Sequence, residues 1–270
     1  MRGNRFLYMF VFVVGTGTLG AEIAAARLMA PFFGASTIVW ANTIGVVLVA
    51  LSIGYWFGGR IADRFPHLRG LCGLVLGAAI LLAIVPFIAS PFFDVSVAAL
   101  DEISAGAFAG SLVGVLFLIG VPVVMLGAVS PYAIRLAVPD VEHTGRVSGR
   151  VYATSTAGSL LGTWISALLL IPLVGTQRTF LVFALAIGIV ATMGLGWRYV
   201  AVPVALAAAI AIPVGTVKAS ERGTVIFEAE TEIQYARVID QDDGARALEL
   251  NEGQAVHSLL RPDTYLTDNV

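Results

Sequence analysis

The sequence has one cysteine, Cys72, one lysine, Lys218, and charged residues at only 13% of its 270 positions. A lone cysteine excludes an internal disulfide and a cysteine metal site. In its apolar run Cys72 reads as a buried, inert thiol. His67 and His143 have no metal-ligand spacing around them and read as solvated loop residues. No G-x-G-x-x-G follows a strand, so no dinucleotide loop is marked. The last fifty residues are acidic where nucleic-acid binding wants a basic face. A soluble domain carries about 25% charged residues. Half that share places the chain among membrane proteins.

What fills the sequence instead is apolar run after apolar run. A membrane-spanning helix needs about 20 mostly apolar residues. Seven stretches qualify or nearly so: Phe6–Leu28, Thr37–Phe57, Gly70–Ser90, Ala109–Ser130, Val151–Val174, Phe180–Leu195 and Tyr199–Val217. The first imitates a signal peptide, with Arg2 and Arg5 ahead of it, but it runs on long enough to span. The expected fold is an all-α polytopic membrane helical bundle of about seven spans over residues 1–217, followed by a short antiparallel β segment over 218–270. Its first partner is therefore the lipid bilayer.

Charge divides the chain at the same place. Residues 1–217 hold 11 arginines against 7 acids, and residues 218–270 hold 5 basic against 11 acidic residues. Arg2, Arg5, Arg60, Arg64, Arg69, Arg135, Arg146, Arg150 and Arg198 fall on alternate loops, all on one side of the expected bundle. The basic excess marks that side as cytoplasmic. The expectation is a plasma-membrane protein with its N-terminus in the cytoplasm and, after seven spans, its tail outside.

Four charges stand in or beside the spans. Glu22 lies well inside the first, where a charge costs roughly 2.5–3.5 kcal/mol on insertion scales. It reads either as a contact to another helix or as a proton or cation site. Arg27, five residues on, is about 140° around the helix and can reach the headgroups. Asp63 and Arg64 close the second span in "FGGRIADRF". With Gly59 they resemble the G-x-x-x-D-R loop of major facilitator transporters, although "PHLRG" then lacks that family's second glycine and basic cluster. The other reading is a solvated arginine-rich loop. "GTGTLG" and "GSLLG" let helix backbones approach closely. Pro122 and Pro131 should bend or end the fourth span.

Past Lys218 the pattern changes to short strands: "TVIFE", "IQYARVI", "ARALEL" and "QAVHSL", with turns at "DDG" and "NEG". Such a meander is marginal alone and needs a surface to pack on. His257 and Ser258 are neighbours on a strand and face opposite ways, which excludes a nucleophile–base pair.

"ETEIQYARVID…LELNEGQAVHS" resembles the small β-domain that opens spermidine synthases. Glu230, Thr231 and Gln234 match an E-S/T-x-Y-Q pattern in which Ile233 replaces the tyrosine. Leu248, Leu250 and Asn251 match an L-x-L-D/N-G turn into which Glu252 intrudes. The blocks from "EIAAARLMAPFFG" to "GGRIADR" and from "GAVSPYAIRLA" to "LVGTQRT" resemble the membrane region of fused major-facilitator-like/spermidine synthase proteins. The resemblance implies a membrane-bound polyamine aminopropyltransferase, with decarboxylated S-adenosylmethionine as co-substrate and a polyamine as acceptor. It implies a cofactor-lining role for Gln234. In the family the catalytic acids and cofactor loop sit on a Rossmann domain beyond the β-domain. The expectation is thus a chain without that domain, without catalytic residues or metal of its own, and unable to transfer alone. The alternative is a transporter-like module for a polyamine or another small solute, with Glu22 and Asp63 as charges in an aqueous path.

Overall fold

The computed structural model describes residues 2–34, 36–102, 106–213, 220, 222–231, 234–250, 256–262 and 267–269. Helices come first, in the order α1 (Arg2–Phe33), α2 (Thr37–Arg64), α3 (Leu68–Glu102), α4 (Gly106–Val115), α5 (Val121–Gly127) and α6 (Val129–Ala137). They continue as α7 (Thr144–Ile165), α8 (Ile171–Val174), α9 (Thr176–Leu195) and α10 (Ala201–Ile210). Strands follow: β1 (Gly223–Glu230), β2 (Tyr235–Gln241), β3 (Arg246–Leu250), β4 (Val256–Leu260) and β5 (Thr267–Asn269).

Six helical stretches among the described residues are long and apolar enough to cross a membrane: Arg5–Phe33, Thr37–Arg64, Leu68–Phe93, Phe108–Ala137, Val141–Val174 and Thr176–Leu195. The expected seventh span is corrected. Its helix covers Trp197–Ile210 only, about 21 Å at 1.5 Å per residue. Pro213 disfavours a helical conformation in the residue before it, so the helix stops short of it. The expected domain boundary at 217/218 lies outside the described residues. The other helices overrun their apolar runs, because a helix continues its own hydrogen bonding into polar sequence. Arg146 and Arg150, expected in a loop, are exposed on the first turns of α7.

Neither proline ends the fourth span. Pro122 lacks an N–H and its ring crowds the carbonyl four residues back. The helix answers with a π-helical turn over Leu116–Gly120. Pro172 sits in the same position after a second π turn, Ser166–Leu170, where the Ile171 N–H bonds to the Ser166 carbonyl. Both wide turns absorb the missing hydrogen bond without breaking the span. Pro131 falls in the first turn of α6, where a missing N–H matters least.

Gly15, Gly158 and Gly162 are buried in a close seam between α1 and α7, while Gly17 and Gly20 face Ile187 and Phe183 of α9. A Cβ on Gly158 would strike the Phe12 carbonyl oxygen, and one on Gly162 that of Thr16. The contacts run in the same direction along both helices, so α1 and α7 lie parallel. Ser166 Oγ donates to the Gly20 carbonyl at 2.9 Å and Ser159 Oγ to that of Gly15 at 3.3 Å. At α2 the glycines that approach α5 and α6 are Gly54 and Gly58, whose Cβ atoms would meet Val124 O and Ala128. Gly59, the glycine of the transporter-like motif, faces open space.

Single glycines make the last two reversals. Gly175 (φ 82°) joins α8 to α9, and Gly196 (φ 106°) ends α9. Both lie in the region that favours glycine.

The strands form an antiparallel meander in the order β1-β2-β3-β4-β5. The Asp242–Gly244 turn is where the sequence puts it, between β2 and β3, while the "NEG" turn lies outside the described residues. The register places Glu228 opposite Arg237, Glu230 opposite Tyr235, Arg237 opposite Glu249, and Ile239 opposite Ala247. Opposed residues share a face. One face therefore carries an acid–base–acid row, Glu228–Arg237–Glu249, across three strands.

Candidate functional site

The β1–β2 turn meets the bundle where α1 ends and α9 begins. Glu230, the last residue of β1, turns its carboxylate to the first turn of α9 and accepts the Thr176 N–H. That amide has no partner within the helix, and a helix N-terminus favours negative charge. Gly175 keeps the approach open, since a Cβ there would lie 3.2 Å from Glu230 Oε2. Arg27 extends from α1 and donates through Nη2 to the Thr231 carbonyl at 2.6 Å. Arg27, Ala30, Ile171, Thr176, Glu230 and Tyr235 enclose a gap of about 10 Å³.

The turn is also tied to itself. Thr231 N–H and Oγ1 both donate to the Gln234 carbonyl, at 3.0 and 2.8 Å, and the Gln234 N–H donates to Thr231 Oγ1 at 3.0 Å. Gln234 thus sits in the turn itself, half-buried, just before β2 begins. The strand expected from Ile233 begins at Tyr235.

Along the same face two of the three charges in the row are buried, and Glu228 is half-buried. Arg237 is 5% exposed and Glu249 1%. Arg237 donates to Glu249 Oε2 through Nε at 3.0 Å and Nη2 at 2.8 Å, and Arg222 approaches Oε1 at 3.4 Å. Tyr235 donates its hydroxyl to Glu228.

Burial lifts the Glu230 carboxyl above the usual carboxylate range, since the charged form loses its water; Glu228 adds to this, while the Thr176 N–H and the Arg27 charge oppose it. Burial, followed by the bond to Glu228, likewise raises the Tyr235 hydroxyl, which Arg237 opposes. A carboxyl raised by docking binds more protons docked than undocked. Docking is therefore strongest below the ordinary carboxylate pKa of about 4.3 and weakens as pH rises through the raised value. Spin labels on exposed positions of α7 and β3 should show a broader distance distribution near neutral pH than in mild acid. Glu230→Gln should flatten that dependence. A pH-independent distribution in the unsubstituted protein counts against it.

Arg27 therefore turns inward to the sheet, and the expectation that it reaches headgroups is corrected. Its side chain is long enough for either, and sequence spacing says nothing about the partner. Asp63 and Arg64 stay at the other end of the bundle. Asp63 pairs with Arg135 of α6 at 3.0 Å, both exposed, and Arg64 lies 5.6 Å from the Phe65 ring centroid. Tyr132 secures the same corner by donating to the Phe65 and His67 carbonyls.

Glu22 is half-buried in α1, and its carboxylate makes no hydrogen bond or ion pair with the described residues. It falls on the helical stripe of Val11, Gly15 and Thr18. Those residues, with Tyr55, Ser130 and Ser155, line a chamber of about 50 Å³, with room for a few waters. A wider cavity of about 760 Å³ lies between α2 and α4–α5, with Asn42 as its one polar lining residue. The structure brings none of Glu22, Asp63 and Gln234 together.

Arg237 and Glu249 escaped the sequence reading. The signal was there: each falls on the inward phase of a period-2 pattern shared with Tyr235, Ile239 and Ala247.

The chain is similar to two curated proteins. It is 29% identical over 203 residues to the polyamine aminopropyltransferase 2 of Ralstonia nicotianae, and 29% identical over 203 residues to the polyamine aminopropyltransferase 1 of the same organism. The matches take in 73% of this chain but 36% and 35% of those proteins. The chain therefore spans about a third of the length of the curated relatives it matches. No family model matches it, and no solved structure does. This distant similarity supports a spermidine synthase-like relationship. It lends no support to the major-facilitator resemblance.

Proposed function

We propose that this chain is the membrane-embedded part of a spermidine synthase-like aminopropyltransferase. The observation that carries the reading is the 203-residue similarity to two polyamine aminopropyltransferases. In this reading a polyamine amine attacks the aminopropyl carbon of decarboxylated S-adenosylmethionine. The carbon–sulfur bond breaks, the thioether leaves and the amine loses a proton. The bundle seats the β-domain, and Gln234 lines the donor's site.

The bundle crosses the plasma membrane with its N-terminus in the cytoplasm. Its outward faces are apolar, with Leu48, Val49 and Trp56 exposed on α2. Arg60 lies 3.5 Å over the Trp56 ring, a pairing suited to the interface. Arg5 and Arg27 are 22 residues apart on α1, about 33 Å along the helix, so the docked sheet lies at the opposite membrane face. A donor made inside the cell must then be supplied at that face.

Deleting the gene that encodes this chain should abolish aminopropyl transfer to putrescine in the membrane fraction and leave uptake of labelled putrescine intact. Transfer unchanged with uptake lost would overturn the reading in favour of transport. The wide cavity does not favour transport, because a polyamine cation meets no carboxylate there.

A further inference from the structure

We propose that Arg27 and the N-terminus of α9 form a latch that holds Glu230 and Thr231 and, through Thr231, fixes the backbone of Gln234. The bundle is then a positioning element for these residues as well as their anchor. The part assigned to Gln234 rests on the aminopropyltransferase reading; the latch does not.

The turn is gripped at consecutive residues by two different helices. α9 holds Glu230 through the Thr176 N–H, and α1 holds Thr231 through the 2.6 Å bond from Arg27. Thr231 in turn fixes both backbone polar groups of Gln234. Arg27 is therefore two hydrogen-bonded steps from Gln234. The space between the partners is only about 10 Å³, so there is little slack. A relative movement of α1 and α9 must be felt at the turn. A hydrogen bond to a charged group is also the stronger kind. Ordering a long arginine side chain costs entropy, and the Thr231 carbonyl offsets it only while the sheet is docked.

The test is hydrogen exchange of the full chain in lipid nanodiscs at constant pH. Arg27→Gln shortens the reach and removes the charge. Thr176→Pro removes the amide hydrogen at the first helical position, where proline is tolerated. Both variants should speed exchange in the peptide spanning the β1–β2 turn by about tenfold, with α1 and α9 protection unchanged. Arg27→Lys should restore part of it. In membranes of cells that carry the substitution in the native gene, Arg27→Gln should raise the KM for decarboxylated S-adenosylmethionine several-fold at unchanged kcat. Turn exchange at the unsubstituted rate in both variants overturns the latch, and so does equal loosening of the helices. If the unsubstituted membranes show no transfer, the aminopropyltransferase reading falls, and the exchange result alone decides the latch.

Discussion

Arg237→Met is expected to destabilise the sheet by about 3–5 kcal/mol. Glu249 is 1% exposed and, among the described residues, keeps Arg222 alone, at 3.4 Å and half-exposed, when Arg237 is gone. An uncompensated carboxylate in such a place must either protonate or draw water in, and both cost stability. Arg222→Met should cost much less, because its guanidinium already sits largely in solvent. The double variant Arg237→Met/Glu249→Leu should recover most of the loss, since well-packed apolar replacements of a buried pair are often neutral or better. Hydrogen exchange of the β2–β3 amides measures all three. The single Arg237 variant should exchange at least about a hundredfold faster. A double variant as unstable as the single would show that the arginine's packing, and not its charge, is what the sheet needs.

The second large effect lies in the seam between α1 and α7, where one substitution should have opposite signs at two positions of the same helix. Gly162→Ala places a Cβ against the Thr16 carbonyl oxygen. Backbone cannot rotate away as a side chain can, so the helices must part, at about 1–3 kcal/mol. Gly149→Ala meets nothing within 4 Å. There alanine's better helix propensity is all that changes, a gain of up to about 1 kcal/mol. Thermal unfolding in detergent micelles, followed by circular dichroism, should show Tm falling for the first and flat or rising for the second. Equal shifts would mean that α7's glycines serve something other than close packing.

Both predictions bear on how the sheet is held. The seam lies between α1 and α7, whereas Glu230 and Thr231 are held by α9 and α1. Yet α1 supplies both the seam and Arg27, so a parted α1 should also loosen the turn. That coupling separates Gly162→Ala from Arg237→Met. The first should broaden the distances across the bundle–sheet joint, and the second chiefly those within the sheet.

Composition, apolar length and the change of period near Lys218 were enough to show a helical bundle followed by a small antiparallel sheet. Those features are local: a helix satisfies its own backbone, and a hairpin such as Asp242–Gly244 is built by neighbours in sequence. The small-residue runs marked a close helix contact for the same reason, since the absence of a side chain is visible residue by residue. Partner choice was not legible. Nothing local says that Gly162 meets Thr16, or that Gly58, and not Gly59, carries the α2 contact. Nor does anything local send Arg27 to the Thr231 carbonyl in place of a headgroup. Glu230 and Thr231 could be recognised as a motif, but their bonds to Thr176 and Arg27 join residues 54 and 204 positions apart. Only the packed chain brings those groups together, because a hydrogen bond depends on distance in space, and sequence records distance along the chain.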